Sequence, residues 1–251
     1  MKYILQNYLT NCRQFHILFK EKYAKFMEER VSNTRPKIYC LGGLILEKNI
    51  FKDLSPSGVE LVYIPYEEPK KGESIVAYSK RLFNHVRLPD CYQLLGVSFG
   101  GIIATEFAKI RKPEKLFLVS SISRIKQIPF KLRLAGYLYE NKLIPERLLK
   151  SKRALSKYVF GIKGKEELER IKQFSNSRDL AFIKWAFTAI LNWKNTEIPE
   201  AIRIHGTKDK ILPYDGKAEY PIWNGSHFII RNRSNEISQI LATINGFNGA
   251  I

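Results

Sequence analysis

The sequence predicts an α/β protein with a mostly parallel central sheet and one inserted helical segment. Short apolar runs typical of buried strands alternate with longer amphipathic stretches typical of helices. This alternation predicts a parallel sheet with helices on both faces. The predicted strands are residues 38–41, 59–64, 92–97, 116–120, 201–205 and 218–223. Amphipathic helices are predicted at residues 73–86 and 99–110, where apolar side chains recur every three or four positions.

The alternation stops between residues 121 and 199. This stretch contains several helix candidates separated by proline and glycine, and no strand-like run. The last candidate, residues 179–193, places Phe182, Trp185 and Trp193 on one face by their spacing. We therefore predict a helical cap inserted at about residues 121–199 of the main domain.

Residues 1–35 are predicted to form a separate N-terminal amphipathic helical extension. Apolar residues recur three to four positions apart from Ile4 to Met27, and Pro36 disfavours continuation of the helix. Packing against the domain is the interpretation we favour, and lying on a membrane surface is the alternative. The remaining residues, 36–251, form the main domain.

Composition indicates a globular chain. With 45% hydrophobic and 26% charged residues in a length of 251, it can bury a core, which excludes a disordered protein. The three cysteines show no metal-binding or disulfide-framework spacing, so no metal site is expected. There is no apolar run of about 18 residues, and the first residues lack a signal-peptide pattern. We expect a cytoplasmic protein without a transmembrane segment.

The net charge of +18 is large, and half of it lies in residues 124–172, which contain 14 Lys or Arg and five Asp or Glu. A field of one sign attracts partners of the other, such as nucleic acid, anionic lipid or an acidic carrier protein. A solvated, lysine-rich surface is the simpler interpretation, and we favour it.

The sequence GVSFGG, residues 96–101, ends a predicted strand and begins a predicted helix. A serine on so sharp a turn adopts strained backbone angles, which are tolerated when its neighbours two before and two after, here Gly96 and Gly100, lack side chains. The hydroxyl of Ser98 then stands clear of the sheet, as a nucleophile requires. The motif lacks the lysine of a phosphate-binding loop, so no nucleotide cofactor is expected.

A serine nucleophile needs a histidine base and a carboxylate that orients the histidine. Asp209 follows the predicted strand 201–205, and His227 lies in a loop after the next predicted strand. Asp215 is an alternative acid, but it lies farther from the strand end. His205, inside the strand, is expected to be a buried, hydrogen-bonded histidine, and His16 and His85, on predicted helices, are expected to be partly exposed.

The motifs GVSFGG, IHGTKDKILP and NGSHF occur in this order and resemble those of the α/β-hydrolase superfamily, in particular small bacterial serine hydrolases with a helical cap. The resemblance runs from Lys37 to the C-terminus. It implies a sheet of the α/β-hydrolase type, with Ser98 as nucleophile, Asp209 as acid and His227 as base. The chain departs from the family in replacing the first two strands by residues 1–35 and in its short link between Asp209 and His227.

Two backbone N–H groups are expected to bind the developing oxyanion. One belongs to Phe99, immediately after the nucleophile, and the other to the glycine-containing loop after the first strand, with Leu44 preferred and Gly43 next. The family often has histidine before these glycines, whereas this chain has Leu41.

These features predict a serine hydrolase that cleaves a carboxylic ester or thioester through an acyl-enzyme. Phe182, Trp185 and Trp193 are predicted to line an apolar acyl pocket, although packing of the cap on the domain explains them equally well. Together with the basic stretch, an apolar pocket points to an acyl chain carried on coenzyme A or an acidic carrier protein. The alternatives are an acyltransferase and a non-catalytic binding protein of the same fold. No nucleic acid partner is expected.

Overall fold

Six parallel strands form one sheet in the part of the chain that the computed structural model describes, namely residues 35–44, 48–130, 133–134, 180–197 and 199–247. The predicted N-terminal extension, up to residue 34, lies outside these residues, as does residue range 135–179 of the predicted cap. The boundaries of both therefore remain predictions. Within the described residues, no helix is both long and apolar enough to cross a lipid bilayer.

The strands fall where the apolar runs predict them, with ends that differ by one or two residues. They are β1 (Lys37–Leu41), β2 (Glu60–Tyr63), β3 (Gln93–Val97), β4 (Lys115–Val119), β5 (Ile202–Gly206) and β6 (Tyr220–Ile222). Their order across the sheet is β2-β1-β3-β4-β5-β6, and every neighbouring pair is parallel. The predicted α/β class with a parallel sheet is confirmed.

The α-helices with described bounds are α1 (Ile75–His85), α2 (Phe99–Ile110), α3 (Leu180–Leu191), α4 (Ile229–Asn232) and α5 (Ser234–Ile244). Short 3₁₀ helices occur at Lys48–Phe51 and Ile125–Gln127. The side chain of Ser74 caps α1 by accepting a hydrogen bond from the N–H of Ala77 at 3.2 Å. Residues 207–219, between β5 and β6, contain no helix, as the short link predicts.

The helices cover the two faces of the sheet as separate groups. Along β3 and β4, successive side chains point to opposite faces: Leu94 and Leu116 pack with apolar residues of α1, α2 and α3. Leu95 and Phe117 pack instead with residues of α4, α5 and the first 3₁₀ helix. Because both faces are buried, these two strands are apolar after their first residue, which is why they are recognisable in the sequence.

The strand order places a crevice at the carboxyl ends of β1 and β3. The chain runs from β1 outward to β2 and then returns to the other side of β1 to form β3, so the order reverses between β1 and β3. In open α/β sheets, ligands bind at such a switch point, outside the carboxyl ends of the strands. Residues 42–44 follow β1 there, and Ser98 follows β3.

Candidate active site

Ser98 lies on the sharp turn between β3 and α2. Its backbone angles, φ 53° and ψ −117°, are in a region that residues with side chains seldom adopt. The turn is fixed to β4, because the Ser98 N–H donates to the carbonyl of Val119 at 3.0 Å and the Ser98 carbonyl accepts from the Ser121 hydroxyl at 2.6 Å. The strain is therefore held by the packed sheet around it.

The two motif glycines are required by close contacts with backbone. A Cβ atom on Gly96 would lie 2.5 Å from the carbonyl oxygen of Gly100, and one on Gly100 would lie 2.2 Å from the carbonyl oxygen of Leu41. Neither distance is possible for a real side chain without moving backbone. The Gly-x-Ser-x-Gly pattern thus follows from how closely the turn packs against itself and against the end of β1.

Ser98, His227 and Asp209 form a hydrogen-bonded series. Nε2 of His227 lies 2.9 Å from Oγ of Ser98, and Nδ1 of His227 lies 2.8 Å from Oδ2 of Asp209. An ionised carboxylate only accepts hydrogen bonds, so Nδ1 donates and Nε2 is left to accept from the serine hydroxyl. The structure thus brings together three residues that lie in separate loops of the sequence.

Asp209 is buried, and its pKa reflects two opposed effects. Burial alone raises the pKa of this carboxyl, but hydrogen bonds from His205 and His227 and the charge of His227 outweigh burial and hold the pKa below its usual range. Its other oxygen, Oδ1, accepts from the N–H groups of Ile211 at 2.8 Å and Leu212 at 2.9 Å. The site is therefore built around an ionised aspartate.

Replacing Asp209 by asparagine is expected to reduce the free energy of unfolding by about 1–3 kcal/mol at neutral pH, because an amide cannot accept from both histidines. A carboxyl whose folded pKa is depressed stabilises the protein above its unfolded pKa, about 4, and loses this contribution as pH falls below that value. The difference between wild type and D209N should therefore shrink between pH 7 and pH 3 in urea titrations. An equal difference at both pH values would contradict this account.

The competing residues have other partners. Asp215 accepts from the Arg203 guanidinium at 3.0 Å and from the Gln127 amide at 2.8 Å. His85 is exposed at the end of α1 and contacts Glu67. His205 is buried with Nε2 2.7 Å from the carbonyl oxygen of Leu212, as expected for a histidine inside the strand. His16 lies outside the described residues.

The loop after β1 runs beside the serine. Gly43 is close enough that a Cβ atom there would lie 3.6 Å from Cβ of Ser98, and the Tyr66 hydroxyl fixes the loop by donating to the Gly42 carbonyl at 2.6 Å. Phe99 is the first residue of α2, where N–H groups have no partner within the helix and the helix dipole favours negative charge. Both predicted sources of N–H donors therefore border Ser98.

A cleft with an apolar wall opens next to the Ser98 side chain. Apart from Ser98, every described lining residue is hydrophobic, and these residues come from the loop after β1, from α2, from the segment after β4, from α3 and from the loop after β5. They are Leu44, Phe99, Ile102, Ile122, Ile128, Phe187, Ile190, Leu191, Ile211 and Leu212. The cleft suits an aliphatic group.

The three aromatic residues predicted to line the pocket are not among these lining residues. Phe182 is fully buried and packs against Tyr66, and the Trp193 indole N–H donates to the buried carboxylate of Glu106 at 2.8 Å. Trp185 donates to the backbone carbonyl of Glu73, just before α1. These contacts favour the alternative, packing of α3 against the domain, while Phe187 of α3 lines the cleft; a pocket role for the three residues stays a prediction.

Sequence reasoning missed three residues that hold the site in place. The contact of Ser121 with Ser98 could have been expected from neighbouring parallel strands. In the structure Val97 pairs with Val119, so the residues that follow these two strands are neighbours. Tyr66 fixes the loop after β1, and His205 has its Nε2 atom 3.1 Å from Oδ2 of Asp209. Neither has a local sequence signal, since both contacts depend on where separate loops meet.

No protein-family model and no curated relative matches this sequence. Solved structures do match. An esterase from Exiguobacterium antarcticum is 15% identical with a TM-score of 0.58, over 83% of this chain and 91% of that one. The epoxide hydrolase of Bacillus megaterium is 14% identical with a TM-score of 0.59, over 84% and 93%. ClbQ, from the colibactin NRPS/PKS pathway, is 15% identical with a TM-score of 0.54, over 84% and 97%.

At these identities the likeness defines the fold. The esterases and the epoxide hydrolase among the matching structures have the α/β-hydrolase fold, and so does this chain. The resemblance found in the sequence motifs is thereby confirmed at the level of the fold. Fold alone does not fix the reaction, which has to be argued from the site.

Proposed function

We propose that the protein is a serine hydrolase that cleaves a carboxylic ester or thioester. The observation that carries the proposal is the hydrogen-bonded series Ser98–His227–Asp209, with the serine on a strained turn at the switch point of the sheet. Matching structures that include esterases agree with this chemistry. The same fold serves an epoxide hydrolase, so the ester reaction depends on the side chains of this site.

The residues of the site act in turn in the proposed reaction. Oγ of Ser98 attacks the acyl carbonyl carbon while His227 Nε2 takes its proton, and Asp209 stabilises the imidazolium that forms. The N–H groups of Phe99 and Leu44 bind the oxyanion, with Gly43 as the alternative to Leu44. His227 then gives the proton to the leaving alcohol or thiol. Water, deprotonated by His227, cleaves the acyl-enzyme and releases the carboxylic acid.

The apolar cleft beside Ser98 favours an aliphatic acyl group. For p-nitrophenyl esters from acetate to hexanoate, we expect kcat/KM to rise with chain length by up to about fourfold per CH₂, from about 0.8 kcal/mol per buried methylene. Ile190→Asn places an amide in the cleft wall and should lower the value for hexanoate far more than for acetate. Equal rates along the series would contradict binding of the acyl chain in this cleft.

A thioester on coenzyme A or an acidic carrier protein is the second candidate, favoured by the net charge of +18. Positive charge would speed encounter with an anionic carrier, and salt would screen this attraction. We expect hydrolysis of an acyl-coenzyme A to slow with rising ionic strength while the matched simple ester is unaffected. Equal rates without salt dependence would leave the charge as a solubility feature.

The test of the proposed function is pre-steady-state release of p-nitrophenol from a p-nitrophenyl ester. An acyl-enzyme that hydrolyses slowly gives a rapid burst of about one p-nitrophenol per protein, followed by slower turnover. An acyltransferase would show the same burst but faster turnover when an acceptor alcohol or amine is added. Neither burst nor turnover is expected from a non-catalytic binding protein, and that result would overturn the proposal.

A further inference from the structure

Asp209 faces a second histidine besides His227. His205, in β5, is 1% exposed, and its Nε2 atom lies 2.7 Å from the carbonyl oxygen of Leu212 and 3.1 Å from Oδ2 of Asp209. A carbonyl oxygen only accepts hydrogen bonds, so Nε2 carries the hydrogen. This N–H donates to the Leu212 carbonyl and also lies close to Oδ2, so that Oδ2 has ring nitrogens of two histidines within 3.1 Å.

The same contacts close the loop after β5 on itself. Asp209 accepts from the N–H groups of Ile211 and Leu212 through Oδ1, while His205 holds the carbonyl of Leu212 from the other side. The carboxylate is thus anchored through Oδ1 by backbone and approached at Oδ2 by His205. Rotation of Asp209 away from His227 would break both sets of contacts.

The surroundings leave His205 no other polar role. Its Nδ1 atom is buried and has no hydrogen-bond partner among the described residues. The titratable groups recorded near the two histidines in the described chain are Asp209, the Ser98 hydroxyl on His227, and the Tyr214 ring, whose centroid lies 6.2 Å from that of His205. Within the described residues, the polar contacts of the His205 side chain are therefore those of Nε2 with the Leu212 carbonyl and with Asp209.

We propose that His205 is a positioning residue that shares the charge of Oδ2 of Asp209 and thereby weakens the attraction of this carboxylate for a protonated His227, while the backbone N–H groups of Ile211 and Leu212 keep Asp209 in place. This inference rests on the proposed function, because it concerns the transfer of the Ser98 proton to His227. A carboxylate that shares its charge with a second, neutral donor stabilises an imidazolium less, so loss of that donor strengthens the attraction. His205 itself touches none of the reacting atoms.

The test measures the rate constant for labelling of Ser98 by a fluorophosphonate as a function of pH, over the pH range in which circular dichroism shows every variant to be folded. His205→Phe keeps a ring of similar shape but removes the donor, and we expect its pH midpoint to rise by roughly half a unit or more. His205→Gln places an amide N–H near the position of Nε2 and should restore the wild-type midpoint. The exposed His85→Gln is the matched control and should not shift the midpoint.

The outcomes distinguish failure of the proposed hydrolase function from failure of the proposed role of His205. No labelling of wild type at any pH overturns the proposed function itself. Labelling of wild type with an unchanged midpoint in His205→Phe overturns the positioning role, even if the variant is less stable. Should His205→Phe not fold, His205→Asn takes its place, because its shorter amide does not reach the two oxygens and the same upward shift is expected.

Discussion

Replacement of Ser98 by alanine is expected to lower kcat/KM for p-nitrophenyl esters by roughly 10³-fold or more, because it removes the atom that forms the acyl-enzyme. The remaining groups still bind substrate and orient water, so a residual rate above that of buffer is expected. The substitution does not relieve the turn, since alanine meets the same backbone constraint at φ 53°. Steady-state hydrolysis with active-site titration measures the effect.

Stability of the Ser98→Ala variant serves as the control. The hydroxyl has one recorded side-chain partner, His227, so the free energy of unfolding should change by about 1 kcal/mol or less. If the Ser98→Ala variant unfolds at the same urea concentration as wild type, its loss of activity reflects the missing hydroxyl and not a loss of folded protein. Retention of full activity by a folded Ser98→Ala variant would rule out Ser98 as the nucleophile.

Gly100→Ala is expected to have the largest effect on stability. Its Cβ atom would lie 2.2 Å from the carbonyl oxygen of Leu41 and 2.5 Å from that of Gly42, and both are backbone atoms that cannot rotate away. Either β1 or α2 has to shift, at a cost of about 3 kcal/mol. The shift also moves the loop after β1 away from Ser98, so activity should fall with stability. Urea denaturation and ester hydrolysis measure the two effects.

Gly43→Ala is the matched stability control for Gly100→Ala. It adds the same methyl group to the same region, but its Cβ atom would make ordinary van der Waals contacts, 3.6 Å from Cβ of Ser98 and 3.7 Å from the Val97 carbonyl oxygen. A change within about 0.5–1 kcal/mol is expected. If both alanine variants were equally stable, close backbone packing would not be the reason for glycine at position 100.

The parts of the molecule that the sequence predicted are those set by short-range constraints. The central strands β3 and β4 are apolar after their first residue because both faces are buried, and the turn at Ser98 needs glycine on either side because its own backbone is so close. The expected approach of Asp209 and His227 follows instead from topology, because parallel strands end at one edge of a sheet and the loops that follow them lie near each other.

What the sequence left undecided depends on how separate elements face one another. The residue spacing in α3 predicted that Phe182 and Trp185 share one face of the helix, but it did not indicate which face is directed toward Ser98. The structure turns these residues into the core and Phe187 toward the cleft. The contact of His205 with Asp209 likewise depends on the path of the loop up to Leu212, which residue types alone do not specify.

Covalent labelling tests whether Ser98 is an activated nucleophile, as the proposed function requires. Wild-type protein is treated with a fluorophosphonate and digested, and the adduct is mapped by mass spectrometry. The expected result is one adduct per protein on Ser98, formed far more slowly in His227→Gln, because the histidine that accepts the serine proton is gone. Absence of an adduct, or an adduct on another residue formed equally fast in Ser98→Ala, would contradict the account.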